Sequence, residues 1–274
     1  MTRLAIALGD PAGIGAEVVL KALAHRPSLN PLLVGCRQWL QASYEQLLTR
    51  CHEPLADPSQ LEIVDEPLTE AITPGRLSGC DDAAMLFTAR SPQSGWRFNT
   101  LLATTHIPLS SVPAALTPER LERRLSQLED FCRRFRQRPR LRVAGLNPQA
   151  GEAGQLGTEE QRWITACLQA YQQGHNNLQL EGPVPPDTCW LGAAQAWNDS
   201  QHVEEGCDGY LALYHDQGLI PVKVLAFDQA VNTTLGLPFL RTSPDHGTGF
   251  DRAGQGSARG ASMLAAIDTA VELG

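Results

Sequence analysis

Short apolar runs recur from one end of this chain to the other, each breaking into a glycine- or proline-punctuated polar loop and then an amphipathic stretch. That alternation points to an α/β fold, a largely parallel sheet covered by helices. Parallel strands need helical crossovers, and the loops after them collect at the carboxyl edge of the sheet, where ligands bind. The predicted strands are Leu4–Leu8, Pro31–Val34, Leu61–Val64, Thr100–Thr104, Leu141–Gly145, Leu178–Leu180, Tyr210–Tyr214 and Val222–Ala226. The predicted helices are Gly15–Ala24, Gln38–Arg50, Pro118–Arg136, Thr158–Gln173 and Ala258–Leu273. The helix at 118 has a clear start, with Thr117 as N-cap, Pro118 in the first turn and Glu119 near the positive end of the helix. Residues Pro74–Gly95 interrupt every periodic pattern and read as a loop or a join.

Composition narrows the function. A formal net charge of -8 disfavours nucleic acid or an anionic membrane as a partner. An anionic substrate must therefore be held by a local cationic pocket. The seven cysteines are scattered and form no C-x-x-C pair, as expected of reduced thiols in the cytoplasm. The start, MTRLAIALGDPAGIG, runs from a short strand into a glycine turn and does not read as a signal peptide. No apolar run approaches the roughly 20 residues of a membrane span.

Five polar clusters carry the chemistry. Gly9-Asp10-Pro11-Ala12-Gly13-Ile14-Gly15 joins the first strand to the first helix, where backbone amides face an anion and Asp10 lies at the ligand edge. Thr104-Thr105-His106 ends a strand on a histidine, a residue able to bind a metal or move a proton. Asn147-Pro148-Gln149 opens a glycine-rich loop that also holds Glu152. His215-Asp216 pairs an imidazole with a carboxylate, and Lys223 follows; it is one of only two lysines, with Lys21, among 22 basic residues. A chain that otherwise uses arginine keeps a compact, titratable ammonium there, although chance is a fair rival with so few lysines. Finally, Asn232 to Gly249 gathers Asn232, Arg241, Asp245, His246 and Gly247 in a glycine- and proline-rich stretch. Loops of this kind on one sheet edge describe an enzyme cleft.

Taken in order, GDPAGIG, TTHIPL, GLNPQAGEAGQLGTEE, GPVPPDT, YHDQGLIPVK and NTTLGLPFLRTSPDHGTGF resemble the signatures of the 4-hydroxythreonine-4-phosphate dehydrogenase family of vitamin B6 synthesis. The resemblance covers nearly the whole chain. It implies a two-lobed fold similar to isocitrate and isopropylmalate dehydrogenases, with lobes at 1–103 plus 246–274 and at 104–245. It also implies a homodimer with a shared active site, in which His215 reaches across the interface. The implied reaction is oxidation of a small phosphorylated substrate by NAD (or NADP), followed by decarboxylation, with a divalent metal (Zn, Mg, Mn or Co) as Lewis acid. By resemblance the metal residues are His106, His215 and, at a position where the family has histidine, Gln149. Lys223, Asn232 and Arg241 contact substrate, and Asp187, Asp216 and Lys223 serve catalysis. Asp10, Asp245, His246 and Gly247 bind the cofactor.

Two departures qualify the likeness. An amide oxygen at Gln149 is a weaker donor to zinc than imidazole. Between roughly Leu77 and Ala84 the family carries a strand–helix block, with a substrate-binding histidine and threonine, that this chain lacks. A catalytically impaired homologue that keeps scaffold and ligand binding is therefore the rival reading. A related dehydrogenase of a phosphorylated four-carbon sugar acid uses the same motifs.

Overall fold

A computed structural model describes residues 4–66 and 82–274, and these divide between two units. The first unit comprises Met1–Gly79 and Phe239–Gly274. Its strands β1 (Ala5–Ala7), β2 (Leu32–Gly35) and β3 (Glu62–Asp65) pair in parallel in that order. Helices α1 (Gly15–Ala24) and α2 (Arg37–Leu48) supply the crossovers. Leu8, Leu20, Leu33, Leu40 and Ile267 pack into one apolar core. The chain returns to this unit as a strand, Arg241–Pro244, and a last helix, Ala261–Leu273, which the Thr242 hydroxyl joins by donating to the Ala266 carbonyl at 2.9 Å.

The second unit, Cys80–Pro238, contains β4 (Ala84–Arg90), β5 (Arg97–Leu102), β6 (Arg140–Ala144), β7 (Gln179–Val184), β8 (Gly209–Ala212) and β9 (Val231–Leu235). They lie in the order β9-β4-β5-β8-β6-β7. β4 runs antiparallel to both neighbours, whereas β5, β8, β6 and β7 run parallel to one another. Helices α3 (Pro118–Arg133), α4 (Thr165–Gly174), α5 (Ala193–Asn198) and α6 (His215–Ala226) cover the sheet. An aromatic core sits beneath α6, with Phe98 edge-on to Tyr210 at 5.4 Å. Among the described residues no helix is long and apolar enough to cross a membrane.

Two expectations need correction. The stretch Pro74–Gly95 is not all loop, because Ala84–Arg90 is a strand inside the sheet, paired on both sides. A strand with most of its residues buried loses the polar alternation by which strands are recognised in sequence. The absent block between Leu77 and Ala84 falls largely outside the described residues. Val222–Ala226 is not a strand either but the end of α6. Its aliphatic residues suit a strand, yet Leu219, Val222 and Ala226 are buried at helical spacing. Gly218 permits this docking, since a Cβ there would lie 2.6 Å from Leu102 and 2.9 Å from Ala212.

Candidate active site

Because β5, β8, β6 and β7 are adjacent and parallel, the loops that follow them share one edge of the sheet. His106 follows β5, His215 and Asp216 follow β8, Gln149 follows β6 and Asp187 follows β7. Topology alone therefore gathers five of the residues singled out in the sequence. His106 and His215 meet within one chain, with ring centroids 5.3 Å apart and planes inclined at 46°, so this pairing does not require His215 to reach across an interface as the resemblance implies. Asp216 Oδ1 lies 2.7 Å from His215 Nδ1, a carboxylate–imidazole pairing that fixes the ring and leaves Nε2 for another partner.

The edge is stitched together from below. The Thr104 hydroxyl donates to the Leu213 carbonyl at 2.7 Å, and the Leu213 amide donates to Gln217 Oε1 at 2.6 Å. Gln217 Nε2 in turn donates to the Gly145 carbonyl at 2.7 Å. The next two amides, of Leu146 and Asn147, both donate to Glu160 Oε1 at 2.7 Å. The Asn147 side-chain amide turns back to Glu159 and Glu160, 2.8 Å from each. Beyond it the backbone enters a left-handed turn, with φ of 51° at Gln149, 50° at Ala150, 84° at Gly151, 42° at Glu152 and 53° at Ala153. L-residues resist this conformation by roughly 1–2 kcal/mol each, so the turn persists only because its ends are held. Gln149 is exposed on it.

In the first unit the two loops expected to bind cofactor come together. The Ile14 amide donates to the Thr248 carbonyl at 2.9 Å, and a Cβ on Gly13 would lie only 2.7 Å from that oxygen. Asp10 Oδ1 accepts from the Ala12 amide at 2.9 Å and so shapes the turn into α1. His246 Nδ1 lies 2.9 Å from the Gly247 carbonyl, and the Asp245 amide donates to Ser262 Oγ at 3.2 Å. A cleft of about 220 Å³ opens between Gly13, Glu17, Trp39, Ser43 and Gly254. It is smaller than the ~300–1,000 Å³ usual for small-molecule pockets.

The remaining candidates sit on regular structure and not in loops. Lys223 is on α6, eight residues beyond His215 and thus about 12 Å along the helix axis. Its ammonium lies 5.4 Å from the centre of the Phe227 ring. Asn232 is on β9, level through Phe87 with Thr100 of β5, and so below the loop edge. Arg241 opens the strand Arg241–Pro244 of the first unit, where burial pulls its pKa down. Sequence reasoning missed Gln217 and Glu160, both buried. Gln217 is hidden beside a more conspicuous His-Asp pair, and Glu160 falls in the first turn of the predicted helix Thr158–Gln173, where an acidic residue is ordinary.

The chain matches the family model described as pyridoxal phosphate biosynthetic protein PdxA over residues 69–270. It is 81% identical over 328 positions to a 4-hydroxythreonine-4-phosphate dehydrogenase of Synechococcus sp. (strain RCC307), covering all of both chains. Since this chain has 274 residues, 54 of those 328 positions have no counterpart in it. Among solved structures, the 4-hydroxythreonine-4-phosphate dehydrogenase of Klebsiella pneumoniae superposes with a TM-score of 0.74 at 29% identity, over 98% of this chain and 96% of that one. A beta-decarboxylating dehydrogenase from Thermococcus kodakarensis, at 16% identity and a TM-score of 0.51 over 100% of this chain and 84% of that one, shares the fold. With a matched family model over most of its length and a full-length relative at this identity, the chain belongs to the pyridoxal phosphate biosynthetic PdxA family.

Proposed function

We propose that this chain catalyses the NAD-dependent oxidation and decarboxylation of 4-hydroxythreonine 4-phosphate in vitamin B6 biosynthesis. The observation that carries the reading is the His106–His215 pair on the carboxyl edge of a parallel sheet, in a chain 81% identical to a dehydrogenase of that name. When bound, NAD (or NADP) would supply the hydride acceptor, and a divalent ion (Zn, Mg, Mn or Co) would supply the Lewis acid for an oxidation followed by loss of carbon dioxide. His106, His215 and Gln149 are the residues to hold that ion. Two imidazoles and an amide oxygen suit an ion that keeps part of its water shell better than a closed tetrahedral zinc site. Among the described residues no group of three or more His, Cys, Asp or Glu side chains is placed to hold a metal.

Asp216 orients His215, and the exposed Asp187 on the same edge is within the set of groups that can move a proton. Lys223, Asn232 and Arg241 bind the substrate's anionic groups, and Asp10 with Asp245, His246 and Gly247 binds the dinucleotide. The working form is a homodimer with a shared site. In support, Ile220, Val224 and Phe227 of the α6 region are 64%, 78% and 60% exposed and form one apolar stripe beside Lys223. The six cysteines among the described residues are unpaired, in keeping with a cytoplasmic enzyme.

A second reading has its own support. The 54 absent positions and Gln149 favour a homologue that binds ligand better than it converts it. NADH formation from 4-hydroxythreonine 4-phosphate with added divalent metal, set beside calorimetric substrate binding, separates the two. Turnover of order 1–10³ per second supports the dehydrogenase. Binding without turnover supports the impaired homologue, and absence of both removes this substrate. A monomer in sedimentation at micromolar concentration would remove the shared site.

A further inference from the structure

Three strand ends carry the proposed metal residues, and a single buried side chain lies where they converge. Gln217 is 7% exposed and bonded at both ends, accepting from the Leu213 amide and donating to the Gly145 carbonyl. Leu213 is itself held from the other side, its carbonyl accepting from the Thr104 hydroxyl. Thr104, Leu213 and Gly145 are the exit points of β5, β8 and β6, just before His106, His215 and Gln149. The regular ladder between β5 and β8 stops with the Ala103 amide donating to the Ala212 carbonyl at 2.8 Å. Past that point side chains replace the ladder, and Gln217 is the link between the β8 and β6 exits.

We infer that Gln217 is a positioning residue of the active site: its amide bridges the Leu213 and Gly145 peptide groups and thereby sets the loops of His215 and Gln149 in register. The inference rests on the metal reading given above. The polarity of the bridge is what makes the residue type specific. One end must accept and the other must donate, which an amide does and an ionised carboxylate or an apolar side chain of the same length does not. Gly218, the next residue, packs α6 against Leu102 and Ala212, so the bridge cannot be reproduced by sliding the helix. On the far side Glu160, 3% exposed, holds the Leu146 and Asn147 amides. Three successive residues, Gly145 to Asn147, are thus fixed before the backbone turns left-handed at Gln149. A left-handed turn of L-residues held at only one end would relax, and Gln149 would leave its place.

The test uses the full chain and Co(II) as probe, read by its visible spectrum and by titration calorimetry. Wild type should bind with a spectrum that His215→Ala abolishes. Gln217→Met, which keeps length and burial but neither hydrogen bond, should weaken Co(II) binding roughly 10–100-fold and change the spectrum. Gln217→Glu keeps the acceptor for Leu213 and loses the donor to Gly145; it should fall between the two and serves if Gln217→Met does not fold. Leu128→Ala, a buried position on α3 that lies against Gly209 at the start of β8 and makes neither bond of the bridge, should lower stability yet leave the spectrum and affinity unchanged. Unchanged Co(II) binding in both Gln217 variants overturns the inference and leaves the metal reading standing. The inference is equally overturned if Leu128→Ala matches them, since general loosening then suffices. Failure of wild type to bind Co(II) overturns the metal reading and the inference with it.

Discussion

The two units hold their functional loops by opposite means. In the second unit the ties reach backbone peptide groups from the Thr104 hydroxyl, the Gln217 amide and the buried carboxylate of Glu160, with no cation among them. In the first unit the segment from Gly254 to Gly260 is tied down by charge. Lys21, 1% exposed, donates to the Ala258 carbonyl at 2.6 Å, the Gly256 carbonyl at 3.2 Å and Glu53 Oε1 at 2.9 Å. Glu17, 3% exposed, accepts from the Ala258 amide at 2.8 Å and pairs with Lys21 at 3.1 Å. The difference follows from the secondary structure available. A sheet of several parallel strands already aligns its exits, so single bridges without a cation suffice. Three short strands do not, and a compact ammonium with three donors gathers two carbonyls and two carboxylates at one point. The scarcity of lysine noted in the sequence has its clearest structural meaning here, at Lys21.

Breaking the charged tie should have the largest effect. Lys21→Met leaves Glu17 buried without its cation, and removal of one partner of such a pair typically costs about 3–5 kcal/mol. Urea unfolding should show that loss, with the double variant Lys21→Met, Glu17→Leu recovering much of it. A loss no larger than that of Gln217→Met would erase the distinction between the units. Lys21→Arg should also destabilise, because a planar fork cannot reproduce three divergent donors.

Charge at the two proposed anion contacts gives the next test. Arg241→Ala in the first unit and Lys223→Ala in the second should each weaken binding of the phosphorylated substrate by about 1.5–3 kcal/mol, with thermal unfolding little changed. Calorimetry that finds only one of them affected would assign phosphate recognition to a single unit. Unaffected binding in both would remove both residues from the site.

The second unit does contain one buried carboxylate tied to charge, away from the site, and its pH response separates stability from function. Burial pushes the Glu129 carboxyl up, but bonds from the Tyr171 hydroxyl, Arg133 and His175 outweigh it and hold the pKa below the usual value. A depressed carboxylate stabilises the fold above its unfolded pKa and loses that contribution as pH falls through the folded value. Glu129→Gln should therefore cost about 1–3 kcal/mol at neutral pH and progressively less below pH ~4. A difference between the proteins that stays constant from pH 7 to 3 would show that Glu129 acts by packing alone.

Particular residues explain what was legible in the sequence. The parallel strands β5, β6, β7 and β8 were visible because each runs into a polar loop, and their order then places His106, Gln149, Asp187 and His215 on one edge. β4 was not visible, since a strand buried in the middle of a sheet carries no alternation. Lys223 falls inside the predicted strand Val222–Ala226 because Val222, Val224 and Leu225 have strand-like chemistry, while burial at Leu219, Val222 and Ala226 selects the helix. Gln217 and Glu160 were invisible for another reason. Both act on backbone groups, Gln217 on Leu213 and on the far-off Gly145, Glu160 on Leu146 and Asn147, and a pattern of side-chain types along the chain contains no trace of a contact with a peptide bond.

The smallest expected effect bears on Gln149, proposed above as a metal residue of the second unit. Gln149→His should tighten zinc or manganese binding about tenfold, or about 1.4 kcal/mol, because imidazole replaces a weaker amide oxygen beside His106 and His215. The backbone favours the exchange. Gln149 has φ of 51°, and histidine is among the few non-glycine residues that populate the left-handed region with some frequency. The side chain is exposed, so the larger ring displaces no core residue. The gain is limited because the turn is already strained and the ring loses rotamer freedom on binding. Titration of both proteins with either metal gives the answer. If affinity rises in the wild-type background but not in Gln217→Met, the neutral bridge is what delivers residue 149 to the ion. Equal affinities for Gln149 and histidine in the wild-type background would mean that this position does not face the metal at all.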